Sequence, residues 1–111
     1  MYYIIEVANT HGGSASYLNS LIEEFQSIQG NVGIKFQPFK FDRIALPDYE
    51  WYPVYEKLFF EKSEWNKFID KASQTKDVWL DLFDSYGVEI LNENLNKVYG
   101  CLLYTSDAAD D

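Results

Sequence analysis

The order of apolar runs in this chain predicts an α/β fold in which parallel strands alternate with helices. Short runs rich in β-branched and aromatic residues occur at positions 2–7, 32–37 and 78–83. They are nearly continuously apolar, which suits strands buried on both faces rather than strands with one wet side. Between them the apolar residues change to helical spacing. Strand–helix alternation of this kind implies right-handed crossovers between parallel strands. A closed barrel and an open doubly wound sheet both meet the pattern.

The first strand, Tyr-Tyr-Ile-Ile-Glu-Val, runs into the polar stretch Asn9-Thr10-His11-Gly12-Gly13-Ser14. Leu18, Leu21, Ile22, Phe25 and Ile28 then share one helical face. Ser14 or Ser16 can cap that helix, and Gly30 is placed to end it. After the second strand comes a long connection, 38–62, which holds all three prolines together with many aromatic residues. A connection of that length is usually functional or contains a short helix, and one turn is expected at 54–60. Ser63 is expected to cap a helix with Trp65, Phe68, Ile69 and Ala72 on its apolar face. Asp84-Ser85 opens a last helix, in which Val88, Leu91 and Leu95 share a face. Val98-Tyr99-Gly100 reads as the approach to a fourth strand.

The 111 residues make at most one domain and, at 47% hydrophobic and 18% aromatic, are not disordered by composition. A formal net charge of −9 argues against nucleic acid as a partner, because phosphate binding needs clustered Lys and Arg. Apart from Asp107, Asp110 and Asp111 the acidity is spread along the chain and reads as a solvated surface. A single cysteine, Cys101, excludes an internal disulfide and a thiolate zinc cluster. No apolar run approaches the length of a membrane span, and the N-terminus lacks the basic and apolar regions of a signal peptide. A soluble cytoplasmic protein without a membrane partner is therefore expected.

Charged and polar residues interrupt the strands at one end. Glu6 lies near the end of the first, Lys35 and Gln37 near the end of the second, and Asp81 and Asp84 at the end of the third. Lys35 and Gln37 are two apart and so face the same side. Burying unpaired charge costs several kcal/mol, and the C-terminal edge of parallel strands is where α/β enzymes bind ligands. The simplest account is that Glu6 and Lys35 pair across neighbouring strands. Such a pair would still suit an anionic or hydroxylated ligand. His11, the only histidine, sits in a glycine-containing loop before a helix N-terminus, a place that favours an anion or an oxygen-rich ligand. Bonding of this imidazole to nearby backbone is the alternative.

These residues carry a family resemblance. Ile4-Ile5-Glu6-Val7-Ala8-Asn9-Thr10-His11-Gly12-Gly13-Ser14 is similar to the first-strand motif of the sialic acid (N-acetylneuraminate) synthase family, IAEIGxNHxGS, with the glutamate-to-histidine spacing kept. Gly33-Ile34-Lys35-Phe36-Gln37-Pro38-Phe39-Lys40 resembles its second-strand motif, AVKFQTFK. Leu58-Phe59-Phe60 and Ser63-Glu64-Trp65 resemble its approach to the next helix. The likeness runs from residue 2 to about 100. Ala8 replaces the family's glycine, Thr10 its asparagine, and Leu80-Asp81-Leu82-Phe83-Asp84 its S-T-P-F-D pattern.

The resemblance implies a partial (β/α)₈ TIM barrel, its first three to four parallel strands with their helices, over residues 1–100. It implies a parent transferase of sialic acid and carbohydrate biosynthesis that condenses phosphoenolpyruvate with an N-acetylated hexosamine. Glu6 and Lys35 would be catalytic. Glu6, Lys35, Gln37, His11 and Asp81 would bind substrate: the carboxylate sugar hydroxyls, the ammonium the phosphoenolpyruvate anion. A divalent metal, manganese or magnesium, is expected in the parent with no ligands for it in this stretch, and the parent is expected to be a homodimer. A partial barrel alone should be inactive and, with its strand edges open, prone to aggregate. A non-catalytic carbohydrate-binding or regulatory barrel derived from the family is the alternative. Residues 101–111 read as a non-native tail.

Overall fold

The computed structural model describes residues 1–104. Its elements follow the alternation read from the sequence: β1 (Tyr3–Ala8), α1 (Ala15–Gln26), β2 (Val32–Phe36), α2 (Phe41–Ile44), α3 (Tyr52–Leu58), α4 (Lys62–Ser73), β3 (Asp77–Leu82), α5 (Ser85–Glu93) and β4 (Val98–Leu103). The four strands form one parallel sheet in the order β1-β2-β3-β4.

That order separates the two architectures left open above. A doubly wound sheet reverses its strand order at a switch point and carries helices on both faces. Here neighbours in sequence are neighbours in space throughout, and one core unites the strands with the helices. Val7, Ile34, Phe36, Val78, Leu80 and Leu82 of the sheet pack with Leu18 and Ile22 of α1, Trp65, Phe68, Ile69 and Ala72 of α4, and Tyr86 and Ile90 of α5. The alternate strand residues, Glu6, Lys35, Trp79 and Asp81 among them, therefore face away from these helices. The result is a four-stranded arc of (β/α)₈ barrel wall, with helices outside and the polar strand ends on the concave side.

Trp65 shows why α4 docks as it does. Its indole is buried against Phe36, Phe60 and Phe68, at centroid distances of 5.8, 5.4 and 5.8 Å. Tilted and edge-on aromatic pairs of this kind add roughly 0.5–1.5 kcal/mol each beyond burial. All four residues assigned to the α4 apolar face are buried.

Several local expectations need correction. Ser14 does cap α1, accepting from Tyr17 N at 3.2 Å. Gly30, however, does not end that helix: the cap is Ser27, and Gly30, with φ +100°, shapes the turn into β2 instead. The N-cap of α4 is Glu61, not Ser63, which lies inside the helix. The buried face of α5 is Tyr86, Gly87 and Ile90; Val88 and Leu95 are exposed. The helical spacing was sound, but the aromatic Tyr86 outcompetes Val88 for the interior because it buries more apolar surface. The long connection holds two short helices, α2 and α3, rather than a single turn.

β4 runs past Gly100, so Cys101, Leu102 and Leu103 pair with Leu80, Asp81 and Leu82. The rest of the 101–111 segment, from residue 105 on, lies outside the described residues. Among the described residues no helix is long and apolar enough to cross a membrane.

Candidate active site

The parallel register sets Glu6 opposite Lys35 on adjacent strands. Lys35 Nζ lies 3.2 Å from Glu6 Oε1 and 3.5 Å from Asp81 Oδ1. On the far side, Gln37 Nε2 donates to Asp81 Oδ2 at 3.1 Å. Glu6, Lys35, Gln37 and Asp81 thus form one connected group across three strands at their C-terminal edge. The register and the two-residue spacing of Lys35 and Gln37 place it there.

Within the group the environments differ. The side chain of Glu6 is 55% exposed, that of Lys35 is 10%, and that of Asp81 is 1%. Burial by itself would push the Lys35 ammonium down, but the Glu6 hydrogen bond and the charges of Asp81 and Glu6 outweigh it, so its pKa is raised. Lys35 is held as a cation, and among these three charged side chains the balance is one negative charge.

β1 carries a bulge between Glu6 and Ala8, and Ala8 takes φ +50°. This is the left-handed region, which costs a residue with a Cβ about 1–2 kcal/mol and glycine little. The bulge turns the chain sharply at the strand end, next to the polar group. The similar motif's glycine would occupy this position.

Beneath the group lies an aromatic floor that sequence reading did not find. Trp79 is the register neighbour of both Lys35 and Gly100. Its Nε1 donates to Tyr2 Oη at 2.8 Å, and Tyr2 Oη donates to Asp77 Oδ2 at 2.9 Å. The indole lies over two glycines: a Cβ on Gly33 would meet it at 2.8 Å, and one on Gly100 at 2.6 Å. The signal was available, because the alternation in Asp77-Val78-Trp79-Leu80-Asp81 sets Trp79 on the same side as Asp81.

Above the group a cleft of about 450 Å³ opens at the strand ends, lined by Asn9, Gln37, Phe39, Tyr55, Phe83 and Tyr104, with Arg43 and Ile44 at its side. Tyr55 of α3 packs edge-on against Phe39 at 5.8 Å, and Phe83 stacks on Tyr104 at 4.8 Å. Asn9 Oδ1 is buried with no hydrogen-bond partner. Of the expected site residues, Gln37 borders this cleft. Asp84 takes no part in the polar group; it caps α5 through Gly87 N and ties down Lys40 N, both at 2.8 Å.

The structure places His11 apart from this assembly. The imidazole is buried against Phe60 at 4.7 Å and Trp65 at 6.4 Å, and its Nδ1 accepts from Gly13 N at 2.9 Å. Burial lowers its pKa from the usual histidine value. Protonation therefore favours the unfolded chain. The stability that the neutral imidazole contributes is complete above about pH 6.5 and is lost as pH falls through the lowered folded-state value. Urea midpoints from pH 8 to pH 5 should fall in this window for the natural chain and fall less for His11→Gln. Parallel profiles for the two proteins would refute a buried neutral imidazole.

Among the described residues no three His, Cys, Asp or Glu side chains converge to hold a metal ion. The Lys35 ammonium stands between Glu6 and Asp81, where a cation would otherwise be drawn. These residues do not build a metal centre.

No family model and no curated protein matches this sequence. Among solved structures, the chain is similar to the N-acetylneuraminic acid (sialic acid) synthetase of Leptospira borgpetersenii serovar Hardjo-bovis, determined in complex with citrate, with a TM-score of 0.72 at 22% identity. The match covers 83% of this chain and 32% of that one. The likeness shows the fold. The four strands and the helices between them are a partial (β/α)₈ barrel, spanning about a third of the similar chain. In such barrels the C-terminal edge of the strands carries the chemistry, and that is the edge at which Glu6, Lys35, Gln37 and Asp81 meet.

Proposed function

We propose that this chain is the N-terminal part of a phosphoenolpyruvate-dependent sialic acid synthase, which condenses phosphoenolpyruvate with an N-acetylated hexosamine. The observation that carries the reading is the Lys35 ammonium, fixed between Glu6 and Asp81 on the concave side of the barrel wall, with Gln37 beside it. A charged ammonium at a strand end offsets the charge of a phosphate and carboxylate ligand. The exposed Glu6 carboxylate, an acceptor only, can take two sugar hydroxyls at once. Gln37 orients the ligand from the cleft wall; Asp81, buried behind Lys35 and Gln37, supports them without bordering the cleft, and His11, packed against Phe60 and Trp65, lies outside the set that would touch substrate. The chain's overlap with about a third of a solved sialic acid synthetase supports the same reading. The divalent metal implied by the resemblance would be held by other parts of the parent. The parent would act in the cytoplasm as a homodimer.

The test is the parent enzyme, recovered with its continuation beyond this chain. It should consume phosphoenolpyruvate in the presence of N-acetylmannosamine or a related N-acetylhexosamine, and Lys35→Met should reduce kcat/KM by at least about a hundredfold, the scale on which removal of one electrostatic contact acts. No consumption with any such sugar would overturn the proposal. The net negative balance of Glu6, Lys35 and Asp81 favours one second reading, a non-catalytic carbohydrate-binding or regulatory barrel. Calorimetry would then register sugar binding while phosphoenolpyruvate stayed intact.

A further inference from the structure

We propose that Asp81 is a positioning residue, which fixes the orientation of the Gln37 side-chain amide at the cleft and holds the Lys35 ammonium in place. A glutamine amide can present either its oxygen or its NH₂ to a ligand by turning over. Asp81 removes that freedom. An ionised carboxylate only accepts hydrogen bonds, so the Gln37 group 3.1 Å from Asp81 Oδ2 is the NH₂. Turning the amide over would set two acceptor oxygens against each other.

Asp81 itself is poorly placed to touch a ligand. Its side chain is 1% exposed, and it does not border the cleft. Its second oxygen lies 3.5 Å from Lys35 Nζ, near enough for strong attraction but without hydrogen-bond geometry. One buried carboxylate thus restrains two neighbours by different means, the amide through a directional bond and the ammonium through charge. Gln37 is left with its carbonyl oxygen and one N–H for the cleft. Asn9, whose Oδ1 is buried without a hydrogen-bond partner, also borders the cleft. A ligand hydroxyl or amide N–H can donate to the Gln37 carbonyl oxygen, and the remaining Gln37 N–H can donate to a ligand oxygen. This consequence for ligand choice rests on the cleft being the binding site proposed above; the positioning itself does not.

The test needs no ligand, so its outcome is independent of the proposed reaction. In ¹⁵N-edited spectra of the whole chain, one proton of the Gln37 side-chain NH₂ should exchange with water about tenfold more slowly than the other, as expected for a hydrogen bond to a buried carboxylate. Asp81→Asn, of the same shape but able to donate, should abolish that difference and lower the Lys35 Nζ titration midpoint. Asp84→Asn, which alters a carboxylate outside the group, should change neither. If Asp81→Asn does not fold, the unmodified chain still decides. Equal exchange of the two Gln37 protons would overturn the proposal, and so would a folded Asp81→Asn protein with an unaltered Lys35 titration.

Discussion

Lys35→Met should destabilise the folded chain by about 3–5 kcal/mol, the cost of leaving a buried charge without its partner. The side chain is nearly isosteric, so the loss measures charge rather than volume. Asp81 would remain, 1% exposed, with only the Gln37 amide to offset its charge. Against the roughly 5–15 kcal/mol that holds an ordinary domain together, this is a large share. Glu6→Gln removes the other carboxylate contact but should cost less than about 1 kcal/mol, because a half-exposed carboxylate is solvated and screened. A double variant, Lys35→Met with Asp81→Leu, should recover much of the loss, since a buried ion pair replaced by packed apolar groups is often neutral. Denaturant midpoints decide. Equal losses from Lys35→Met and Glu6→Gln would show that burial does not separate the two contacts. The raised pKa of Lys35 adds a sign: the stability it supplies is complete below its unfolded value, about 10.4, and is lost as pH rises through the higher folded value.

Gly13→Ala should cost more than the 1–2 kcal/mol expected of a left-handed position alone. Gly13 has φ +83°, and a Cβ there would lie 1.9 Å from the carbonyl oxygen of Lys57, at the end of α3. Backbone cannot yield as a flexible side chain does, so α3 must move. That helix carries Tyr55 over the cleft, and the substitution therefore connects loop packing to the shape of the site. Gly12→Ala supplies the control. Its φ is +62°, but a Cβ there meets nothing within 4 Å, so only the conformational cost applies. Equal shifts in the midpoints of the two variants would refute the close approach of α3 to the β1–α1 loop.

The polar group was legible in the sequence to an unusual degree, because strand geometry is nearly fixed. Successive side chains alternate, so Lys35 and Gln37 had to share a face. Parallel pairing then brought Glu6 opposite Lys35. Helix faces were legible where one apolar stripe had no rival, as in α4, and misread where two competed, as with Tyr86 and Val88 of α5. The Trp79 floor passed unnoticed because a tryptophan in an apolar strand looks like core. Only the glycines at 33 and 100, one on each neighbouring strand, reveal where its ring lies.

By itself the sequence determined the alternation of strands and helices, the end of the sheet at which charge gathers, and the types of group available there. These follow from local periodicity and from the cost of burying charge, both properties of neighbouring residues. The tertiary structure alone decided that the strand order never reverses, which makes the wall a barrel arc, and that Asp81 is the buried centre of the polar group while His11 lies away from it. The reason is physical: strand order, burial and charge pairing depend on residues far apart in the chain, as Gln37 and Asp81 are at 44 positions, and no local pattern carries that distance.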